Sequence, residues 1–560
     1  MPLPLKFLVH LTESVFSRNP SNTQQPTNQP TQPISPRLTS RPEQNFALNQ
    51  DLLWRILNIN ADMDLESEGR IPALTTLRRA SQVSSFWREL VLSSPSLWGK
   101  VINLDHLNQE TADWRGEVLR RAGESPLHLK GTTGITKKSA KFFASVLVDH
   151  WERIQILNLD PRGEINYIGA QLLVTLFSRP APFLQSVTVP SLYFNKHLVV
   201  DDKYHLFSNK APSLRHFKPF SAEIPAHLEA PWIPQLRSFY LMHPVTSRQL
   251  LEAFATMPLL EKFTGKCYLT ADPEANSLPA VTLCHLNQII VDPGDSKEWI
   301  NILSKITPAA ACSLNFILSL RSINPITTNE LFVACRVLST YSQRYFNIHK
   351  RHSICLRIAE RLFNLYEIAD NLNAPPTSEF AFYLSLRCSP FPTHASSTFF
   401  SHLTLYPWDK VEYLILAIED NPVPSDSNLI KTLSSLTSLQ SLTLKTETLQ
   451  LLVEIPPDIG STLFPSLRQL NYSSLTPRGG LHPDALSALK QFLTSREALR
   501  RPIEALELQG YVHGMSEQDF QFLDAFVGLR VVWWVNGQKK EHVCGSMVSN
   551  VVDSVQDRSL

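Results

Sequence analysis

Glycine is scarce in this chain, with 18 in 560 residues, about 3% where ~7% is usual. Enzymes that wrap backbone around a phosphate need clustered glycines, and neither G-x-x-x-x-G-K-[ST] nor G-x-G-x-x-G occurs, which argues against the common nucleotide-binding chemistries. An excess of one charge is also absent. Lys+Arg 52 against Asp+Glu 51 leaves +1, so no chain-wide basic field is available to grip nucleic acid. No run approaches the ~18 apolar residues of a membrane span. The seven cysteines (Cys267, Cys284, Cys312, Cys335, Cys355, Cys388 and Cys544) never form C-x-x-C, and sparse, unpaired thiols in a long chain read as those of a reducing, intracellular compartment, cytoplasmic or nuclear. Near the start, Leu3 to Leu11 resemble a signal-peptide core, but Lys6, His10 and Glu13 break it and no small-residue cleavage site follows.

What is present is ample core material, 43% hydrophobic and 18% charged, and a length that predicts several domains or one repeat array. Residues 1–45 form a leader rich in Pro, Gln, Thr and Ser, too polar to offset chain entropy and expected to be disordered. From 46 to 104 the pattern is helical. Asn49 caps a helix striped by Leu52, Leu53, Ile56 and Leu57. A second helix is expected to carry Leu77, Ala80, Ser84, Trp87 and Val91 on one face and to stop at Ser93. Ser94 then caps a short helix with Pro95 first, presenting Leu97 and Trp98, and a short strand follows at Val101–Leu104.

The segments Leu48-Asn49-Gln50-Asp51-Leu52-Leu53-Trp54-Arg55-Ile56-Leu57, Ser81-Gln82-Val83-Ser84-Ser85-Phe86-Trp87-Arg88 and Ser94-Pro95-Ser96-Leu97-Trp98 together resemble an F-box of the type found in mushroom-forming fungi. The stretch Trp114 to Gly123, then Ser125-Pro126-Leu127, is similar to the helix and strand that often follow that F-box. Leu48-Asn49 stands where the family commonly has Leu-Pro, and Ser84 where it often has Cys. The resemblance implies a three-helix domain that docks a Skp-family adaptor, and through it a cullin–RING ubiquitin ligase, using Leu48, Leu52, Leu53, Ile56, Trp87, Leu97 and Trp98. Residues 105–150 would be a linker helix and capping strand.

Residues 151–535 repeat the pattern L-x-x-L-x-L, for example Ile154-x-x-Leu157-x-Leu159, Leu236-x-x-Phe239-x-Leu241 and Leu439-x-x-Leu442-x-Leu444. The intervals lie at and slightly above the leucine-rich-repeat period of ~20–29. Weaker copies begin at Leu214, Leu260, Leu314, Ala381 and Leu467, and residues 320–380 lose the register. A proline lead-in recurs at Pro182, Pro212, Pro234, Pro258 and Pro465, each two residues before the triad. The predicted fold is therefore α/β: the small helical unit, then an irregular solenoid that resembles leucine-rich repeats, then a tail at 536–560. In the triads the apolar positions point inward. Asn158, Ser238, Tyr240, Thr443 and Glu507 would then face outward as contacts for a protein substrate.

Catalytic chemistry finds no support. There is no G-x-S-x-G elbow, and Gly131 to Ser139 has its glycines and Lys misplaced for a phosphate loop. His349, His352 and Cys355 could share a face but lack a completing ligand pair. No metal, cofactor, nucleic acid or membrane is expected, and no enzyme activity. The expectation is a substrate receptor of a Skp–cullin–RING ubiquitin ligase. Its alternatives are a ligase-independent interaction scaffold and, behind that, a divergent α/β enzyme.

Overall fold

The structure is a computed structural model describing residues 49–63, 71–107, 113–132, 137–160, 172–173, 175–189, 205–219, 229–242, 244–270, 279–294, 297–320, 326–349, 353–368, 382–388, 391–392, 395–419, 424–473, 483–509, 517–535 and 538–545. The chain falls into two units, 1–53 and 54–560, and the boundary lies inside the first described helix. Leu48 and the expected leader lie outside the described residues.

Helix α1 (Gln50–Asn60) opens as its sequence predicts, with the Asp51 N–H donating to Asn49 Oδ1 at 2.8 Å. The second predicted helix is in fact two, α2 (Ala73–Ala80) and α3 (Ser85–Leu92). The break comes from serine chemistry. Ser84 is extended and its hydroxyl accepts the Trp87 N–H at 3.2 Å, starting a new helix rather than continuing the old one. Helix α4 (Pro95–Gly99) begins with Pro95 as expected, but Ser94 makes no cap; its hydroxyl instead donates back to the Leu90 carbonyl at 2.7 Å. Helix α5 (Asp113–Ala122) packs on α4, and no Cβ fits at Gly99, where it would meet the Pro126 carbonyl at 2.4 Å.

Strands β1 (Ile102–Asn103) and β2 (Leu127–Thr132) pair in parallel and begin one large sheet. After helix α6 (Lys137–His150) come β3 (Ile154–Asp160), β4 (Ser186–Val189), β5 (His216–Pro219) and β6 (Ser238–Leu241), each laid parallel beside the last. Short β7 (Val245–Thr246) leads into α7 (Ser247–Ala255), where Thr246 and Gln249 form a reciprocal cap. Then β8 (Lys262–Gly265) joins β6, β9 (Leu269–Thr270) pairs with β7, and β10 (Val281–Leu283) precedes β11 (Gln288–Gly294) on the β8 edge. Helix α8 (Glu298–Lys305) and β12 (Ile306–Pro308), the partner of β10, lead to β13 (Ser313–Ser319) beside β11.

Here the order changes. Helix α9 (Thr328–Ile348) has 21 residues, about 31 Å of rise. It carries the chain past two strand positions before β14 (Ser353–Ala359) enters the sheet. The hairpin partner β15 (Leu362–Glu367) and then β16 (Tyr383–Arg387) run back into the gap, and β16 closes on β13 in parallel. This meander is why the repeat register fades between 320 and 380. Parallel addition resumes after α10 (Ala395–Leu403) with β17 (Tyr413–Ile418) on β14, then α11 (Ser427–Ser434) and β18 (Ser441–Leu444). Helices α12 (Thr446–Glu454) and α13 (Pro457–Gly460) precede β19 (Gln469–Ser473), and α14 (Pro483–Ala498) precedes β20 (Ala505–Gln509) and β21 (Arg530–Val535). The stretch expected to be a tail supplies β22 (Gln538–Val543), which pairs antiparallel with β21. The result is a mixed α/β architecture around a large, mostly parallel sheet.

The proline lead-in has a local cause. At Ala181-Pro182-Phe183-Leu184 the Leu184 N–H returns to the Ala181 carbonyl, and the same turn recurs at Leu214, Leu236, Leu260 and Leu467. Proline thus occupies the second position of a tight turn, where its fixed φ is already correct. The residues before it (Ala181, Ala211, Ile233, Met257 and Phe464) are buried, as are the leucines that follow. Arg496 locks the last of these turns. Buried itself, it donates to the carbonyls of Leu463, Phe464, Leu467 and Arg501.

Two triads sit out of frame. Register places Leu314 opposite Ile289 and Val532 opposite Glu507, so Ile317 and Val532 face the side opposite to the core. Apolar residues on the outward face imitate the inward pattern there, since one-residue and three-residue slips both exchange faces. Among the described residues, no helix is long and apolar enough to cross a membrane.

Candidate functional site

Two surfaces collect the residues singled out in the sequence. The first is the helical segment. Leu53 is fully buried in the first unit, whereas Leu52 beside it is 52% exposed. Within the second unit, Ile56 and Trp87 are half-buried, while Leu97 and Trp98 are wholly buried. This corrects part of the adaptor-facing expectation: Leu53, Leu97 and Trp98 are packing residues with no surface to offer. Trp98 shows why. Its Nε1–H donates to the Val91 carbonyl at 2.9 Å, Trp114 meets it edge-on at 6.3 Å, and the Arg121 guanidinium lies 4.6 Å over its ring. Glu117 holds Arg121 at 2.6 Å and Arg120 at 2.7 Å, and these two hydrogen bonds draw its carboxyl down to about 2. The tryptophan of S-P-x-L-W is thus the joint between α4 and α5.

The same segment leaves other large apolar side chains in water. Ile59, Ile71, Val83, Phe86 and Leu92 are each 42–55% exposed. Val83 and Phe86 flank the capping Ser84, so the break between α2 and α3 displays them beside Trp87. Sequence reasoning missed both because a continuous helix places them off the Leu77–Trp87 face.

The second surface is the outward face of the sheet. Register aligns Lys130, Asn158 and Thr188 in one row, and Thr188 continues to Lys218. Tyr240, Thr264, Ile290, Asn315, Tyr383, Tyr366, Cys355, Ile415, Thr443, Asn471 and Glu507 form its continuation. Four of the five expected outward residues, Asn158, Tyr240, Thr443 and Glu507, lie on this single row, and Ser238 lies two residues before Tyr240 on the same face. Exposure divides them. Asn158, Ser238 and Glu507 are half-buried, but Tyr240 and Thr443 are 7% and 6% exposed and are not open contacts.

Neighbouring strands provide the cover. Lys218 lies 5.4 Å over the Tyr240 ring. Burial lowers the Lys218 ammonium below its usual value, and nearby Lys262 and Lys266 lower it further. Thr443 accepts from Asn471 Nδ2 at 3.1 Å and lies 3.1 Å from the Tyr413 hydroxyl, while Asn471 also reaches Ser441 and receives Gln469. One step along, Glu419 takes Lys445 at 2.6 Å and Arg357 at 3.1 Å. Burial pushes the Glu419 carboxyl up, but the Lys445 hydrogen bond and the Arg357 charge prevail and hold it below the usual range.

The meander adds residues that sequence reasoning did not reach. Arg357, Asn364 and Ser385 are registered neighbours on three successive strands. Each keeps a buried polar atom (Arg357 Nε, Asn364 Oδ1, Ser385 Oγ) without a hydrogen-bond partner. The triad frame is lost at Arg357 and Asn364, which hid their signal. Ser385 and Asn471 were legible, as the residues between Leu384 and Leu386 in the weaker triad from Ala381 and between Leu470 and Tyr472 in that from Leu467. Of the considered metal ligands, His352 lies outside the described residues, and Cys355 is a buried thiol raised to about 11 by burial. None of the seven cysteines is in a disulfide, and six are buried.

No protein-family model and no curated protein matches this chain. The function of both surfaces therefore rests on their own chemistry.

Proposed function

We propose that this chain is the substrate receptor of a Skp–cullin–RING ubiquitin ligase, with the helical segment as handle and the outward sheet face as receptor. One observation carries this reading: among the described residues from 59 to 92, five large apolar side chains stand 42–55% exposed and Trp87 is half-buried, beside apolar residues such as Leu77, Leu90 and Val91 that are buried. Crowded, exposed aromatic and aliphatic groups are the anchors that a helical partner covers. The leucine-rich-repeat character of the body accords with the parallel addition of strands, and its outward row lets side chains vary without disturbing the core. The chain itself makes no bond. It raises the effective concentration of the substrate beside the charged ubiquitin-conjugating enzyme.

The alternative, a ligase-independent scaffold, draws support from the burial of Leu53, Leu97 and Trp98, which leaves a smaller handle. The deciding experiment is capture of purified Skp-family adaptor by the full chain and by a Phe86→Asp, Trp87→Ala variant. Capture by wild type, weakened at least tenfold in the folded variant, supports the receptor reading. No capture at micromolar concentration by folded wild type overturns it in favour of the scaffold.

A further inference from the structure

Beyond both interaction surfaces, at the last edge of the sheet, three unlike donor groups converge. Asp524 comes from the 3₁₀ segment Glu517–Ala525, His542 from β22 and Cys544 from just past its end. Their ligand atoms all lie within 4.8 Å of one another, and His542 Nε2 is 2.9 Å from Asp524 Oδ1. His542 and Cys544 are two residues apart in an antiparallel ladder, which extends beyond Arg530–Val543 through the Cys544 N–H to the Leu529 carbonyl at 2.9 Å. Alternation therefore aims both side chains to one face.

The backbone holds this arrangement ready. The Gly528 N–H donates to the Cys544 carbonyl at 2.9 Å, and Gly545, in the left-handed region at φ 72°, lies so close to Val527 that a Cβ there would come within 3.0 Å of its side chain. The segment bearing Asp524 is thus tied to the strand bearing the other two ligands. Cys544 is buried, whereas the side chains of His542 and Asp524 are 40% and 54% exposed, so an ion has an entry path from solvent.

We propose that Asp524, His542 and Cys544 bind a zinc-class divalent cation, with water in the fourth position, and clip the loop before β21 to the edge strand β22. One thiolate and one carboxylate balance the dication around a neutral imidazole, and mixed sulfur, nitrogen and oxygen donors suit zinc rather than the oxygen-seeking calcium or magnesium. Tetrahedral zinc separates its nitrogen and oxygen ligands by about 3.3 Å and its nitrogen and sulfur ligands by about 3.6 Å. Binding therefore requires the partly exposed side chains of His542 and Asp524 to adjust around the ion. On binding, the thiol proton leaves to solvent while the Sγ–metal bond forms. The 18-residue separation of His542 from Asp524 matches no sequence motif, which is why only the fold brings the three together.

The test uses the full chain, stripped with chelator and titrated with Co²⁺ and then Zn²⁺. One equivalent of Co²⁺ should give tetrahedral d–d bands with a thiolate charge-transfer band, both displaced by Zn²⁺, and Zn²⁺ should raise Tm. Cys544→Ser should abolish the charge-transfer band, His542→Gln should weaken Zn²⁺ binding at least tenfold, and Cys284→Ser, at the exposed cysteine, should change neither. His542→Gln alters a partly exposed side chain and decides the matter if Cys544→Ser fails to fold. Three results overturn the proposal: no stoichiometric uptake at micromolar metal, undiminished uptake in His542→Gln, or bands that vanish with Cys284→Ser instead.

Discussion

The helical segment and the sheet body bury their apolar side chains with unequal success. Among the described residues, five large apolar side chains stand exposed between 59 and 92, while only nine do so from 148 to 543. The difference is one of stacking. Most strands of the main sheet lie between two others, so rings such as Phe207 meet Phe177, Phe217 and Trp232 from successive turns. Helices of 8, 8 and 5 residues have too little surface to cover one another, and what they leave uncovered is available to a partner.

The largest effect should come from breaking the best-buried joint of the poorly covered segment. Trp98→Ala removes the ring joining α4 to α5 and should cost about 3–5 kcal/mol, read by denaturant unfolding, whereas Phe86→Ser in the same segment should cost under about 1 kcal/mol. Equal losses would mean that Phe86 is core and would dissolve the contrast. Next, in the sheet body, Arg496→Met strips hydrogen bonds from three carbonyls around the Phe464-Pro465 turn and from that of Arg501. It should destabilise by about 3 kcal/mol; a loss below about 1 kcal/mol would show that water replaces the guanidinium.

The smallest effect concerns pH. The Glu419 carboxyl lies below its usual value of 4.5 in the folded chain, so its stabilisation is present above about pH 4.5 and is lost as pH falls through the lower folded value. Glu419→Gln should therefore lower Tm modestly at pH 7, with a gap to wild type that closes as pH falls below about 4.5. A gap independent of pH would remove the Arg357–Glu419–Lys445 bridge from the account.

Much of this fold was legible because β-structure has a period of two and proline a fixed φ. The strong triads at Leu157, Phe239, Leu414 and Leu442 fall on strands with those residues inward, and each proline lead-in is a turn. The outward placement of Asn158, Ser238, Tyr240, Thr443 and Glu507 followed from the same alternation. Their exposure did not, since Lys218 over Tyr240 and Asn471 against Thr443 are contacts between strands 22 to 28 residues apart.

The sequence by itself determined the local elements: where turns begin, which face of each strand is apolar, and that Asn49 and Pro95 open helices. Only the tertiary structure decided that the chain skips two strand positions before β14 and fills them backwards, that Trp98 is a joint rather than an anchor, and that Asp524, His542 and Cys544 meet. The reason is physical. Capping, turn geometry and alternation act over a few residues, whereas burial and convergence depend on which distant strands become neighbours, and apolar spacing along one strand leaves that partner unspecified.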